Sequence, residues 1–250
     1  MKQIVSRIKP ASGFGHIMHM LSLLLFPAIL YILVRLEFIQ LAVALVLFSK
    51  WRIFAVGTRH WLTNIRANAV DIFVGVSTVL LMAQTDFQIT QLIIAALYAV
   101  WLIYIKPRSS EISIGIQAMI AQTVALYVVY DIWADKSILW LTVSVGIICF
   151  ICARHFMSTF DSGVARTLSY CWGYLTACLA WLTSHWLIYY GPLAQPVLII
   201  TVAGYGLAAL YYLQYNDRLS IKIKKQVVVL VCATVFVIIM YSGSADKIVQ

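Results

Sequence analysis

Long apolar runs recur along the whole chain, broken only by short polar punctuation. A membrane span needs roughly 20 mostly apolar residues, with shorter ones tolerated. Nine runs fit: 17–34, 36–49, 69–85, 87–105, 112–130, 137–153, 168–188, 197–215 and 226–242. The longest connection between them, 50–68, has the pattern of an amphipathic helix over 51–68 lying at the membrane surface and turning into the third span. The pattern predicts an all-α polytopic membrane protein, one transmembrane helical domain over 1–250, with no linker marking a boundary.

Lysine and arginine orient this threading. With the N-terminus cytoplasmic and the C-terminus outside, all but Arg35, Lys136 and Lys247 fall on the inner face. That asymmetry is what the positive-inside rule requires. Only "RLE" at 35–37 separates the first two runs. A single kinked helix from Ile17 to Phe48 would be roughly 48 Å long, well beyond a ~30 Å core. It would also place Lys2, Arg7 and Lys9 outside, so two spans joined by a tight outer hairpin are expected. Trp51, Trp61, Trp101 and Trp172 then fall at the inner interface, and Trp133, Trp140, Trp181 and Trp186 at the outer one, as aromatic belts.

Composition sharpens the class. The chain is 63% hydrophobic and 11% charged, with mean hydropathy +0.92, far from a soluble domain. A net charge of +9 here reports loop orientation rather than nucleic-acid binding, since no basic soluble domain exists to carry it. Its expected partners are membrane lipids, with anionic headgroups at the cytosolic face, and the plasma (cytoplasmic) membrane is the expected location. All five cysteines lie in apolar runs, so no disulfide framework is implied. Small residues at helical spacing, Ala95/Ala99, Ala121/Ala125, Gly173/Ala177 and Gly204/Ala208, predict close helix–helix seams. Gln88, Gln91, Gln117 and Gln122 predict hydrogen bonds between spans.

One polar face stands out. If the chain is helical through 58–71, His60, Asn64, Asn68 and Asp71 form one stripe. Arg59 and Arg66 lie on a neighbouring stripe. Asp71 is the acid placed most clearly inside a span, about one turn from its cytoplasmic end, and an intramembrane carboxylate needs a partner or a function. Arg66, Arg154 and Arg166 are its expected partners. Arginine near the inner leaflet meets lipid phosphate, or forks onto a dedicated phosphate site.

"RHWLTN" (59–64) and "RHFMST" (154–159) share a residue pattern and both follow even-numbered runs, suggesting a 4+4+1 parallel repeat. This topology resembles that of the intramembrane aromatic prenyltransferases, whose cytoplasmic loops carry paired aspartate-rich motifs holding Mg²⁺ against a prenyl pyrophosphate. The matching loops here offer only Asp71 and Asp161, with no aspartate pair, so no catalytic residue is carried over. Cys149, Cys152 and His155, with His16 and His19 at the same level, make a conceivable soft-metal set. A membrane thiolate is costly, and small packing cysteines are the simpler reading. No metal and no cofactor is expected.

The candidate substrate- or lipid-phosphate-binding residues are therefore Arg59, His60, Asn64, Arg66, Asn68, Asp71, Arg154 and His155. Transport or translocation of a small or lipid-linked, phosphate-bearing substrate is the expected function. The alternatives are a non-catalytic scaffold and a lipid-phosphate-handling enzyme at the cytosolic face. A cavity reaching mid-membrane would favour transport, and a shallow inner pocket lined by the polar stripe would favour the enzyme. A filled interior would favour the scaffold.

Overall fold

The computed structural model describes residues 14–51, 61–133, 136–160, 163–186, 189–190 and 193–241. Among them are nine α-helices: α1 (Phe14–Arg35), α2 (Ile39–Phe48), α3 (Trp61–Ala83), α4 (Gln88–Val100), α5 (Glu111–Trp133), α6 (Ile138–Met157), α7 (Ala165–Thr183), α8 (Gln195–Tyr215) and α9 (Ile221–Tyr241). A π-helical turn, Trp101–Ile105, continues α4, and a 3-10 turn, Ser184–Trp186, continues α7. Two-residue strands β1 (Tyr189–Tyr190) and β2 (Leu193–Ala194) pair antiparallel before α8. Five helices are long and apolar enough to cross a membrane: α4 with its π-turn, α5, α6, α8 and α9. The chain is a helical protein of membrane type.

The helix starts follow local chemistry. Ser110, Ser137 and Ser220 precede α5, α6 and α9. The hydroxyl of each accepts the backbone N–H three residues on, at 3.2, 3.4 and 3.2 Å. This satisfies a donor that the helix itself leaves orphaned.

The described helices gather into two compact units. One holds α1, α2, the C-terminal end of α3, and α4. In it α1 ends at the predicted hairpin. Glu37 takes a left-handed conformation at φ 63°. Phe38 N–H donates to Leu33 C=O at 2.9 Å and Glu37 N–H to Val34 C=O at 3.0 Å, the paired bonds of a Schellman cap. α1 therefore stops at Arg35 rather than running on to Phe48. The second run differs from expectation in length, because α2 has only 10 residues. At 1.5 Å per residue that is about 15 Å, half of a bilayer core. Gln91 closes the α3 end, its Nε2 donating to the carbonyls of Met82 and Thr85 at 3.0 and 2.7 Å.

The other unit holds the N-terminal part of α3 with α5 to α9. Its tightest seam joins α6 to α7. A Cβ added at Gly173 would lie 2.7 Å from Phe150 Cβ and 3.0 Å from Gly146 C=O. Only glycine permits this approach, so the Gly173/Ala177 seam lies where predicted. Gly173→Ala is expected to force α6 and α7 apart and destabilise the protein by about 1–3 kcal/mol. Thermal unfolding in detergent reads this directly, and an unchanged midpoint would contradict it. α9 lies at the unit's edge, packed on α8, with no buried residue.

Candidate functional site

The predicted polar face falls mostly on α3. Arg59, His60 and the first half of the proposed surface helix lie outside the described residues, as does Asp161. The helix runs unbroken from Trp61 through the expected 68/69 junction. Asn64, Asn68 and Asp71 therefore do share a stripe, and Arg66 stands on the same helix. Asn68 Nδ2 donates to Asn64 C=O at 2.9 Å.

Asp71 stands four residues, about one turn, into the apolar stretch of α3, Ala67–Ala83. It forms an ion pair with Lys50, which the sequence had not suggested as a partner. Both side chains are largely buried, at 13% and 11% exposure. Lys50 comes two residues after the end of α2, and a buried cation requires a counter-ion.

Arg154 and His155 occupy the last turn of α6. His155 Nε2 is buried without a hydrogen-bond partner among the described residues. Trp61–Asn64 lie in α3.

A further feature is one the polar pattern did not indicate. A cavity of about 450 Å³ lies among α5, α6, α7, α8 and the start of α9. That size is ordinary for a small-molecule site. Its walls are apolar: Ala118 and Met119 from α5, Cys152, Ala153 and Phe156 from α6, Leu168 and Leu175 from α7, Leu207 and Ala208 from α8. Its deepest polar residues are Gln122 and Trp172, joined by an indole N–H donating to Gln122 Oε1 at 3.1 Å. Gln122 stands eleven residues from the start of α5, and Gly204, opposite, eleven from the end of α8. Both distances are about 16 Å, halfway across a ~30 Å core.

The cavity lining extends to one end of this helix group, at Gln214, Leu219 and Lys224, and that end is basic. Arg154, Arg166, Arg218, Lys222, Lys224 and Lys225 lie there, against Glu111 and Asp217 among the described residues. Lys224 is itself part of the lining. Phe156, Phe160, Tyr211 and Tyr215 pack edge-to-face between the ends of α6 and α8. Phe160 lies 5.1, 5.1 and 4.8 Å from the other three rings.

Two sequence-based assignments change here. Trp172 is a cavity wall rather than a belt residue, and Trp101 is buried at 3% exposure. Gly204 is a close-packing position: a Cβ there would meet Trp172 Cζ2 at 3.0 Å and Gln122 Nε2 at 3.3 Å, so its missing side chain lets α8 approach both. Cys149, Cys152 and His155 line up along α6, yet no three potential metal ligands converge among the described residues. A second groove, about 520 Å³, runs between α5, α8 and α9 beside the Thr123–Thr201 hydroxyl pair. Its lining carries no charge.

Comparison with protein-family models, curated proteins and solved structures gave no match. Function has to be argued from the site alone.

Proposed function

We propose that this chain is a multi-pass membrane protein that binds and translocates a lipid-linked, phosphate-bearing amphiphile. The carrying observation is the apolar cavity that runs from a basic rim to mid-membrane depth. Such a space takes hydrocarbon below and an anionic headgroup above. The amphiphile's charge stays at Lys224 and the cations around it while its chain leaves water. In this reading the basic rim faces the cytoplasm, the N-terminus is inside, and the chain resides in the cytoplasmic membrane as one helical domain. Arg154, beside the rim, belongs to the headgroup surface. The α3 face built on Asn64, Asn68 and Asp71 serves to hold Lys50.

A scaffold needs a filled interior, which this cavity does not favour. A phosphate-handling enzyme needs converging carboxylates or histidines, and the cavity lining has neither.

Reconstituted vesicles test the proposal. A fluorescent hexadecyl phosphate analogue in the inner leaflet should reach an impermeant external quencher faster with the protein than without it. Lys224→Glu should slow that exchange about fivefold or more, since one cation near an anionic surface is worth about 1 kcal/mol and reversal removes more. Equal rates in protein-containing and protein-free vesicles would contradict translocation.

A further inference from the structure

We infer that the exposed face of α7 is an interface with a second copy of this chain, the two α7 helices crossing at a two-fold axis along the membrane normal.

Spacing defines the stripe. Thr167, Tyr174 and Trp181 recur every seven residues, and Cys171, Cys178 and His185 recur every seven between them. Alternating steps of four and three keep all six on one side of the helix, and each is exposed. The opposite side, with Ala165, Ser169, Gly173, Thr176 and Ala180, is the buried one. Cys171 marks the edge where α7 turns toward the cavity, and the other five lie clear of the cavity lining.

These are unsuitable residues to face lipid. Tyr174 is the midpoint of α7, nine residues and about 14 Å from either end. Its neighbour Gly173 packs against Gly146, near the middle of α6. Tyr174 therefore stands at the mid-depth of a helix apolar enough to cross a membrane. Tyrosine suits the membrane surface, where its hydroxyl meets water. Here the residue is 76% exposed, and its hydroxyl interacts on its own helix with the Cys178 thiol, a weak partner. Holding a phenol in hydrocarbon on such terms is costly. α9 shows what a lipid-facing helix of this protein looks like. It has no buried residue, and it exposes Val229, Leu230, Phe236, Val237, Ile239 and Met240. α7, at 19 residues, is not among the five helices apolar enough to cross. Its exposed side carries hydroxyl, thiol, indole and imidazole groups instead.

A second copy is the partner that fits this stripe. Thr167, Tyr174 and His185 each hold both a donor and an acceptor, so the stripe can satisfy an identical one. A stripe of acids or of bases could not. The seven-residue spacing is the seam of a left-handed helix pair. Copies inserted the same way round are related by a two-fold axis along the membrane normal, which sets each seam residue near its own counterpart. One Tyr174 hydroxyl then donates to the other, at a depth where no water competes.

The test uses the full chain with a C-terminal fluorescent tag, reconstituted at high lipid excess in phosphatidylcholine vesicles. Single particles should bleach in two steps. Tyr174→Phe keeps the ring and removes the hydroxyl. It should weaken the pair about 3- to 20-fold, as one hydrogen bond between membrane helices implies. Copper phenanthroline, which takes up the two electrons released by a thiol pair, should join the copies through a disulfide. Peptide mapping should place that disulfide at Cys178 or Cys171, and not at Cys232 on α9, the other exposed cysteine. Single-step bleaching of the wild type overturns the inference and leaves lipid or a different protein as the neighbour of the stripe. A dimer joined through Cys232, or one that Tyr174→Phe does not weaken, overturns it too, because the copies then meet elsewhere.

Discussion

Gly204→Phe is expected to weaken hexadecyl phosphate binding about 10- to 100-fold. The position faces Trp172 and Gln122 across the deepest part of the cavity, and even a Cβ would already press on the indole at 3.0 Å. A phenyl group has to occupy the space a chain would use, or displace the indole that anchors Gln122. Overpacking of this kind costs about 1–3 kcal/mol, which converts to that range of affinity. An unchanged dissociation constant in a normally folded variant would mean that the amphiphile binds elsewhere.

The second large effect concerns the ion pair. Lys50→Met is expected to destabilise the protein by about 3 kcal/mol, because it strands the Asp71 carboxylate in a largely buried position. Asp71→Leu should cost a similar amount by stranding the ammonium. The double variant, Lys50→Met with Asp71→Leu, should recover most of the loss, since two apolar side chains need no counter-charge. A double-mutant cycle on thermal unfolding in one detergent reads the coupling. Single variants within about 0.5 kcal/mol of wild type would mark a solvated surface bridge instead.

Much of the helix order was legible because apolar run length reports it directly. The turn after Arg35, the α6–α7 seam at Gly173 and the polar stripe on α3 all follow from local pattern. The length of α2 did not follow, because the apolar run 36–49 includes the residues that form the Schellman cap of α1. The Asp71 partner was missed because Lys50 reads as a loop cation in the sequence alone.

The cavity was hidden because its walls come from residues far apart in the chain. Gly173 and Gly204 both mark close approaches, Gly173 to Phe150 and Gly204 to the Trp172–Gln122 pair. That pair joins residues fifty positions apart, and nothing in a single sequence aligns them. Gln122 was recognisable as a hydrogen-bonding residue between spans, but its indole partner was not.

The most direct test of the central claim is photolabelling of the full chain with a hexadecyl phosphate bearing a mid-chain diazirine, followed by peptide mapping. Label is expected on Met119, Trp172 and Leu207, whose side chains line the cavity, and it should be lost in Gly204→Phe. Label concentrated on α9, whose residues are all unburied, and unaffected by Gly204→Phe would contradict the account.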